Sequence, residues 1–276
     1  MNLADRRLLL PVAIGALLGL VLLVGWLVRR AEPGFAFFPS PGEDGTPQSF
    51  GVPFTAATVI TEDGERLRVW HLPRADARAQ VVYFHGNGGN LSLWADVLVG
   101  LWRQGFDVIG FDYRGYGVST GSPTEQGLYR DTDAVLHYVH TTARRTGVPL
   151  LYWGRSLGTP MAAYAASRRA PDGVVLEAGF PSARDVLQDS PLLWALSFLS
   201  TYRFATADWM AAVRAPALVL HGDRDSVIPY HLGTRLYEAL PGPKTFVTIA
   251  GGDHNDPLPR DGAPYWTAVH AFVAGV

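Results

Sequence analysis

From residue 54 to the C-terminus, short apolar runs of strand length alternate with longer stretches of helical periodicity, and this alternation constrains the fold most. The apolar runs are residues 81–84, 108–111, 150–153, 174–177, 217–220 and 245–249. Helical candidates occupy 91–103, 124–144, 157–168, 231–239 and 264–273. Ahead of them, residues 54–60 and 66–72 are β-rich and are split by Glu62, Asp63, Gly64 and Glu65, a hairpin signal. A hairpin followed by repeated strand–helix units predicts an α/β domain over 54–276, with a mostly parallel sheet of about eight strands and helices on both faces. One segment breaks the rhythm. Around 180–210 lies an insert whose residues 191–199 are apolar on nearly all sides, which requires cover by protein, a position over an apolar cleft, or contact with lipid. A lid above a binding site is the favoured expectation.

The N-terminus differs in kind. Residues 8–28 carry no charge, and their length matches the ~20 apolar residues that cross a bilayer core. Arg6 and Arg7 precede this run, Arg29 and Arg30 follow it, and no small-x-small cleavage site closes it. The segment 1–30 is therefore expected to be an uncleaved membrane anchor with one transmembrane helix over about 8–28. Arginine pairs at both ends give little charge bias, while the short basic N-terminal tail favours an extracytoplasmic domain. Residues 31–53, rich in Pro and Gly, read as a linker, with Phe35, Phe37 and Phe38 suited to a membrane interface.

Composition narrows the chemistry. The net charge of −2 comes without any block of clustered Lys and Arg, so nucleic acid is not an expected partner. The absence of cysteine removes disulfides, thiol nucleophiles and cysteine-ligated metal. His137 and His140 lie one helical turn apart, but no carboxylate or cysteine completes a metal site there, and neither metal nor cofactor is expected.

Gly154, Arg155, Ser156, Leu157 and Gly158 form a Gly-x-Ser-x-Gly motif at a predicted strand-to-helix junction. The sharp turn leaves no room for Cβ atoms beside the serine, and the following helix N-terminus favours negative charge. Serine needs a base. His254 lies in a loop just after the last strand-like run, where a side chain can rise onto the C-terminal edge of a sheet. Asp225, after the run 217–220, is the favoured acid to orient that imidazole; Glu177, at the end of another run, is a competitor. Asp223 is assigned to the turn. An oxyanion site needs backbone N–H groups, expected from Leu157 and from Asn87 in the glycine-rich loop 85–90.

Five ordered segments, YFHGNGGN (83–90), GFDYRGYGVSTG (110–121), WGRSLG (153–158), HGDRDSVIP (221–229) and GGDHND (251–256), resemble the α/β-hydrolases. Within them, the chain looks close to membrane-anchored serine hydrolases of the lysophospholipase-like or serine-aminopeptidase-like kind. The resemblance covers about residues 54–276 and implies the α/β-hydrolase fold, with Ser156 as nucleophile, Asp225 as acid, His254 as base, and Asn87 and Leu157 as oxyanion donors. The loop 112–117 matches a segment that shapes the site in such enzymes, and its own role is expected to be structural, through tight turns and an Asp112–Arg114 interaction; the resemblance departs at Asp253, where related loops often carry glycine. The expected activity is metal-independent hydrolysis of acyl esters or thioesters, including lipid-derived ones. A serine peptidase on the same residues and a non-catalytic binding protein at the membrane are the alternatives.

Overall fold

The computed structural model of the chain describes residues 3–259 and 263–276. Its centre is an eight-stranded sheet. In chain order the strands are β1 (Thr55–Ile60), β2 (Arg66–Leu72), β3 (Ala79–Phe84), β4 (Phe106–Phe111), β5 (Leu150–Arg155), β6 (Gly173–Glu177), β7 (Ala217–Gly222) and β8 (Lys244–Ile249). Across the sheet they run β8-β7-β6-β5-β3-β4-β2-β1. The hairpin β1–β2 and the pair β2–β4 are antiparallel, and every other neighbouring pair is parallel.

Central strands β3, β4, β5, β6 and β7 are buried at every position, which explains the apolar runs at their centres. Alternate residues feed two cores. Val82, Phe84, Tyr152 and Leu176 point into one, with Met161 and Leu232. Val81, Tyr83, Trp153 and Leu218 point into the other, with Trp266 and Val269. The helices that cover the faces are α2 (Ala95–Arg103), α3 (Glu125–Tyr138), α4 (Gly158–Arg168), α7 (Tyr230–Ala239) and α8 (Pro264–Ala274).

Four expectations need correction. The helix expected from residue 91 begins at Ala95, because the Asn90 carbonyl and side chain hold residues 93–94 in a turn. The helix expected over 124–144 is α-helical only to Tyr138 and widens to a π-turn over Val139–Ala143. In the insert, the apolar run is no continuous helix: α5 (Ala183–Asp189) is followed by a 3-10 turn (Trp194–Phe198), and α6 (Thr206–Met210) closes the segment. The insert leaves Leu192, Trp194 and Phe198 more than half exposed.

The fourth correction concerns the linker. Helix α1 runs from Leu3 to Ala36, beyond the anchor segment, and its span Ile14–Ala36 is long and apolar enough to cross a membrane, with none of its most apolar window buried. The chain then docks on the domain. Phe37 is buried against Tyr202 and Phe204 and not held at an interface, while Phe35 and Phe38 remain exposed. Burying a phenylalanine contributes about 1.5–3 kcal/mol, so the docking is more than incidental. Phe38–Pro39 pairs in parallel with Gly88–Gly89, and Glu43 accepts hydrogen bonds from Arg68 and the Trp70 indole, both at 2.8 Å.

The tightest backbone contact lies where β5 turns into α4. A Cβ on Gly158 would sit 1.8 Å from the Phe84 carbonyl oxygen, and one on Gly154 would sit 2.2 Å from the Gly158 carbonyl oxygen. Backbone cannot yield as a flexible side chain can. Gly158→Ala and Gly154→Ala are each expected to cost about 3 kcal/mol or more in chemical denaturation, or to prevent folding, whereas Gly45→Ala stays within about 0.5 kcal/mol.

Candidate active site

The turn after β5 presents Ser156 in a left-handed conformation (φ 54°), rare for a residue with a side chain. Three hydrogen bonds hold it. The Ser156 amide donates to the Glu177 carbonyl at 2.9 Å, and its own carbonyl accepts from the Thr159 amide (2.8 Å) and hydroxyl (2.7 Å). The close approach of Gly158 to β3 prevents this turn from relaxing.

Loops after β7 and β8 bring two more predicted residues to the same edge. His254 Nε2 lies 3.0 Å from Ser156 Oγ, and His254 Nδ1 lies 2.8 Å from Asp225 Oδ2. The other oxygen of Asp225 accepts from the amides of Val227 (2.9 Å) and Ile228 (2.7 Å). Burial works against ionisation of Asp225, but hydrogen bonds from His221 and His254 outweigh it and hold the carboxyl well below the usual carboxylate range. An ionised Asp225 can only accept, so the proton sits on His254 Nδ1 and leaves Nε2 free to accept from the serine hydroxyl.

Glu177 does not join this group. Its carboxylate accepts from the Trp153 indole (2.9 Å) and the Tyr265 hydroxyl (3.2 Å). Asp253 bridges the loops after β7 and β8, accepting from the amides of Ser226 (2.7 Å) and His254 (2.8 Å). Asp223 reaches across to the loop after β8, accepting from the Gly251 amide at 2.7 Å.

Among the described residues, no acceptor pairs with the backbone amide of Asn87 or of Leu157. The Tyr116 hydroxyl steadies Asn87 by donating to its side-chain and main-chain oxygens, each at 2.9 Å. Beneath the loop, buried Asp112 accepts from the Leu91 amide at 2.8 Å. Arg114 does not pair with Asp112 as expected. It binds Asp131 and Asp63 instead, each at 2.8 Å, because the turn at Gly115 directs it towards α3.

Sequence reasoning passed over two residues that support the site. Arg155, beside the serine, is buried and donates to the carbonyls of His254 (2.7 Å) and Asp256 (2.9 Å). Its guanidinium lies 3.9 Å from Glu177 and faces the Trp94 ring. A charge at the end of an otherwise apolar strand was the available signal. His221, buried at the end of β7, is 2.9 Å from the Ile228 carbonyl and 3.4 Å from Asp225.

A family model described as alpha/beta hydrolase fold matches residues 80–185. The uncharacterized protein Rv2307c of Mycobacterium tuberculosis is 33% identical over 99% of this chain and 97% of its own length. The chain belongs to the α/β-hydrolase family. Among its relatives, a Saccharomyces cerevisiae protein named as an uncharacterized membrane protein (YNL320W) is 34% identical over 83% of this chain and 82% of its own. The lysophosphatidylserine lipase ABHD12 of Xenopus tropicalis is 32% identical over 73% of this chain and 56% of its own. Solved structures share the fold: a Pyrococcus furiosus esterase has a TM-score of 0.72 at 16% identity, covering 87% of this chain and 98% of that one. A bacterial membrane phospholipase A has a TM-score of 0.60 at 17% identity, covering 99% and 97%. With these relatives, the hydrolase assignment stands on sequence and fold together.

Two outcomes follow for the supporting groups. Arg155→Met leaves Glu177 and two carbonyls without their cation and is expected to cost about 3–5 kcal/mol in denaturant unfolding; adding Glu177→Gln recovers part of that loss. Asp225→Asn is expected to lower the Tm near neutral pH. Because the folded-state pKa of Asp225 is depressed, its contribution is complete above the ordinary carboxylate range and is lost only as pH falls through the depressed folded-state pKa, so the Tm gap begins to narrow below about pH 4 and closes only in strong acid.

Proposed function

We propose that the chain is a membrane-anchored serine hydrolase that cleaves acyl esters or thioesters through an acyl-enzyme. The observation that carries this reading is the unbroken hydrogen-bond chain from Ser156 Oγ through His254 to Asp225. In the proposed reaction His254 Nε2 takes the hydroxyl proton as Ser156 Oγ attacks the acyl carbonyl. Asp225 stabilises the imidazolium, and the amides of Asn87 and Leu157 receive the developing oxyanion. His254 then returns its proton to the leaving oxygen or sulfur. Water, deprotonated by the same imidazole, attacks the acyl-serine, and the imidazolium returns that proton to Ser156 Oγ as the acid leaves.

Residues 1–30 serve as the anchor, with the helix over about 8–28 crossing the bilayer and residues 54–276 forming an extracytoplasmic hydrolase domain. The membrane name of the yeast relative and the lipase name of ABHD12 favour an amphiphilic acyl substrate.

A fluorophosphonate probe tests the nucleophile. It should label the wild-type chain on Ser156 and leave Ser156→Ala untouched. Ser156→Ala and His254→Ala should each lower kcat by about 10³-fold or more on an acyl ester, with Asp225→Asn close behind. No adduct on folded wild-type protein sinks the reading, and a larger loss in Glu177→Gln than in Asp225→Asn overturns the assigned acid.

A further inference from the structure

The last turns of α1 reach both sides of the Ser156 turn. In the sheet, β5 lies between β6 and β3, so the serine turn has the insert after β6 on one side and the loop 85–90 after β3 on the other. Glu32 grips the insert: its carboxylate accepts from the Ser200 hydroxyl, from the Thr201 amide (3.1 Å) and hydroxyl (2.6 Å), and from the Tyr202 amide (3.4 Å). One turn later, the Ala36 carbonyl accepts from Asn87 Nδ2 at 2.7 Å. The end of α1 is thus tied to both flanks of the serine's edge of the sheet.

The insert presents an apolar tip. Leu192 is 87% exposed, Phe198 57%, Trp194 52% and Leu193 37%, and Trp194 and Phe198 meet edge to face at 4.9 Å. Arg184 lies over Phe198 at 5.2 Å. Aromatic rings with arginine beside aliphatic side chains make up a surface suited to a bilayer interface. Helix length places that interface within reach. From residue 28, where the apolar run ends, to Ala36 an α-helix rises roughly 12 Å. The headgroup layer on one side of a bilayer is roughly 5–8 Å deep. The insert, tied to Glu32, therefore sits within a few ångströms of that layer.

We propose that Leu192, Leu193, Trp194 and Phe198 form a second membrane contact, seated in the same leaflet from which α1 emerges, so that the edge carrying Ser156 faces lipid. This rests on the reading of α1 as a membrane-spanning helix, and it deepens the proposed function by giving an amphiphilic acyl ester a lateral path to the serine.

The cysteine-free chain suits a direct test. Full-length Leu192→Cys and Phe198→Cys, each carrying an environment-sensitive nitrobenzoxadiazole label, are placed in phosphatidylcholine nanodiscs containing doxyl-labelled lipid. Leu18→Cys on α1 and Ile60→Cys on the outer strand β1 serve as references, both at exposed positions. The labels at 192 and 198 are expected to emit blue-shifted light and to be quenched at least twofold by lipid bearing the doxyl group near the headgroup, with the Ile60 label unaffected. The two tip positions are read in parallel, so damage to one variant leaves the other decisive. A lipid-like signal at Leu18 with water-like signals at 192 and 198 overturns this proposal alone. A water-like signal at Leu18 overturns the anchor reading and this proposal with it. Neither readout depends on turnover, so fluorophosphonate labelling judges the catalytic reading separately.

Discussion

The contact on which the site depends is backbone against backbone, where Gly158 at the start of α4 presses on the Phe84 carbonyl at the end of β3. It sets how closely the Ser156 turn approaches the loop 85–90, and so the distance between the serine and the amide of Asn87. It also holds Ser156 in its left-handed conformation, since the helix cannot retreat without parting two neighbouring strands of the core. The burial of β3 and β5 on both faces supplies the rigidity that keeps this turn strained.

Two charged arrangements then fix the remaining groups. Around Asp225, the histidines at 221 and 254 and the amides of residues 227 and 228 surround a carboxylate whose ionisation burial alone disfavours. Because His254 Nδ1 points at the anion, the imidazole between it and Ser156 has one orientation and one tautomer. Arg155 acts from below: its guanidinium holds the carbonyls of the His254 loop and is itself balanced by Glu177. A single motif residue thus links the serine turn to the loop that carries the histidine, which lies far away in sequence.

The segment after α1 is a third support. Its pairing with Gly88–Gly89 and the bond from Asn87 to the Ala36 carbonyl join the loop 85–90 to the C-terminal end of the helix. In the proposed anchored state, the position of the domain over the bilayer and the geometry of that loop are set by the same few residues.

The alternation of apolar runs, the glycines around Ser156 and the order Ser156, Asp225, His254 were legible in the sequence because each is a local pattern with a local cause. Strand identity followed from burial on both faces, and the need for glycine at 154 and 158 followed from the sharpness of one turn. The pairing of Arg114 with Asp63 and Asp131, the exclusion of Glu177 from the His254 site and the role of Arg155 were not legible, because each depends on which side of the sheet a loop leaves. The docking of Phe37 and Glu43 was not legible for a related reason: Pro and Gly content describes local freedom, while these two residues find their partners only across the assembled domain. By itself, then, the sequence determined the fold, the apolar N-terminal helix and the three residues that meet at the sheet edge. Only the tertiary structure decided which charges pair, how the insert breaks into short turns and that α1 ends against the site, since these depend on distances between segments that no local pattern encodes.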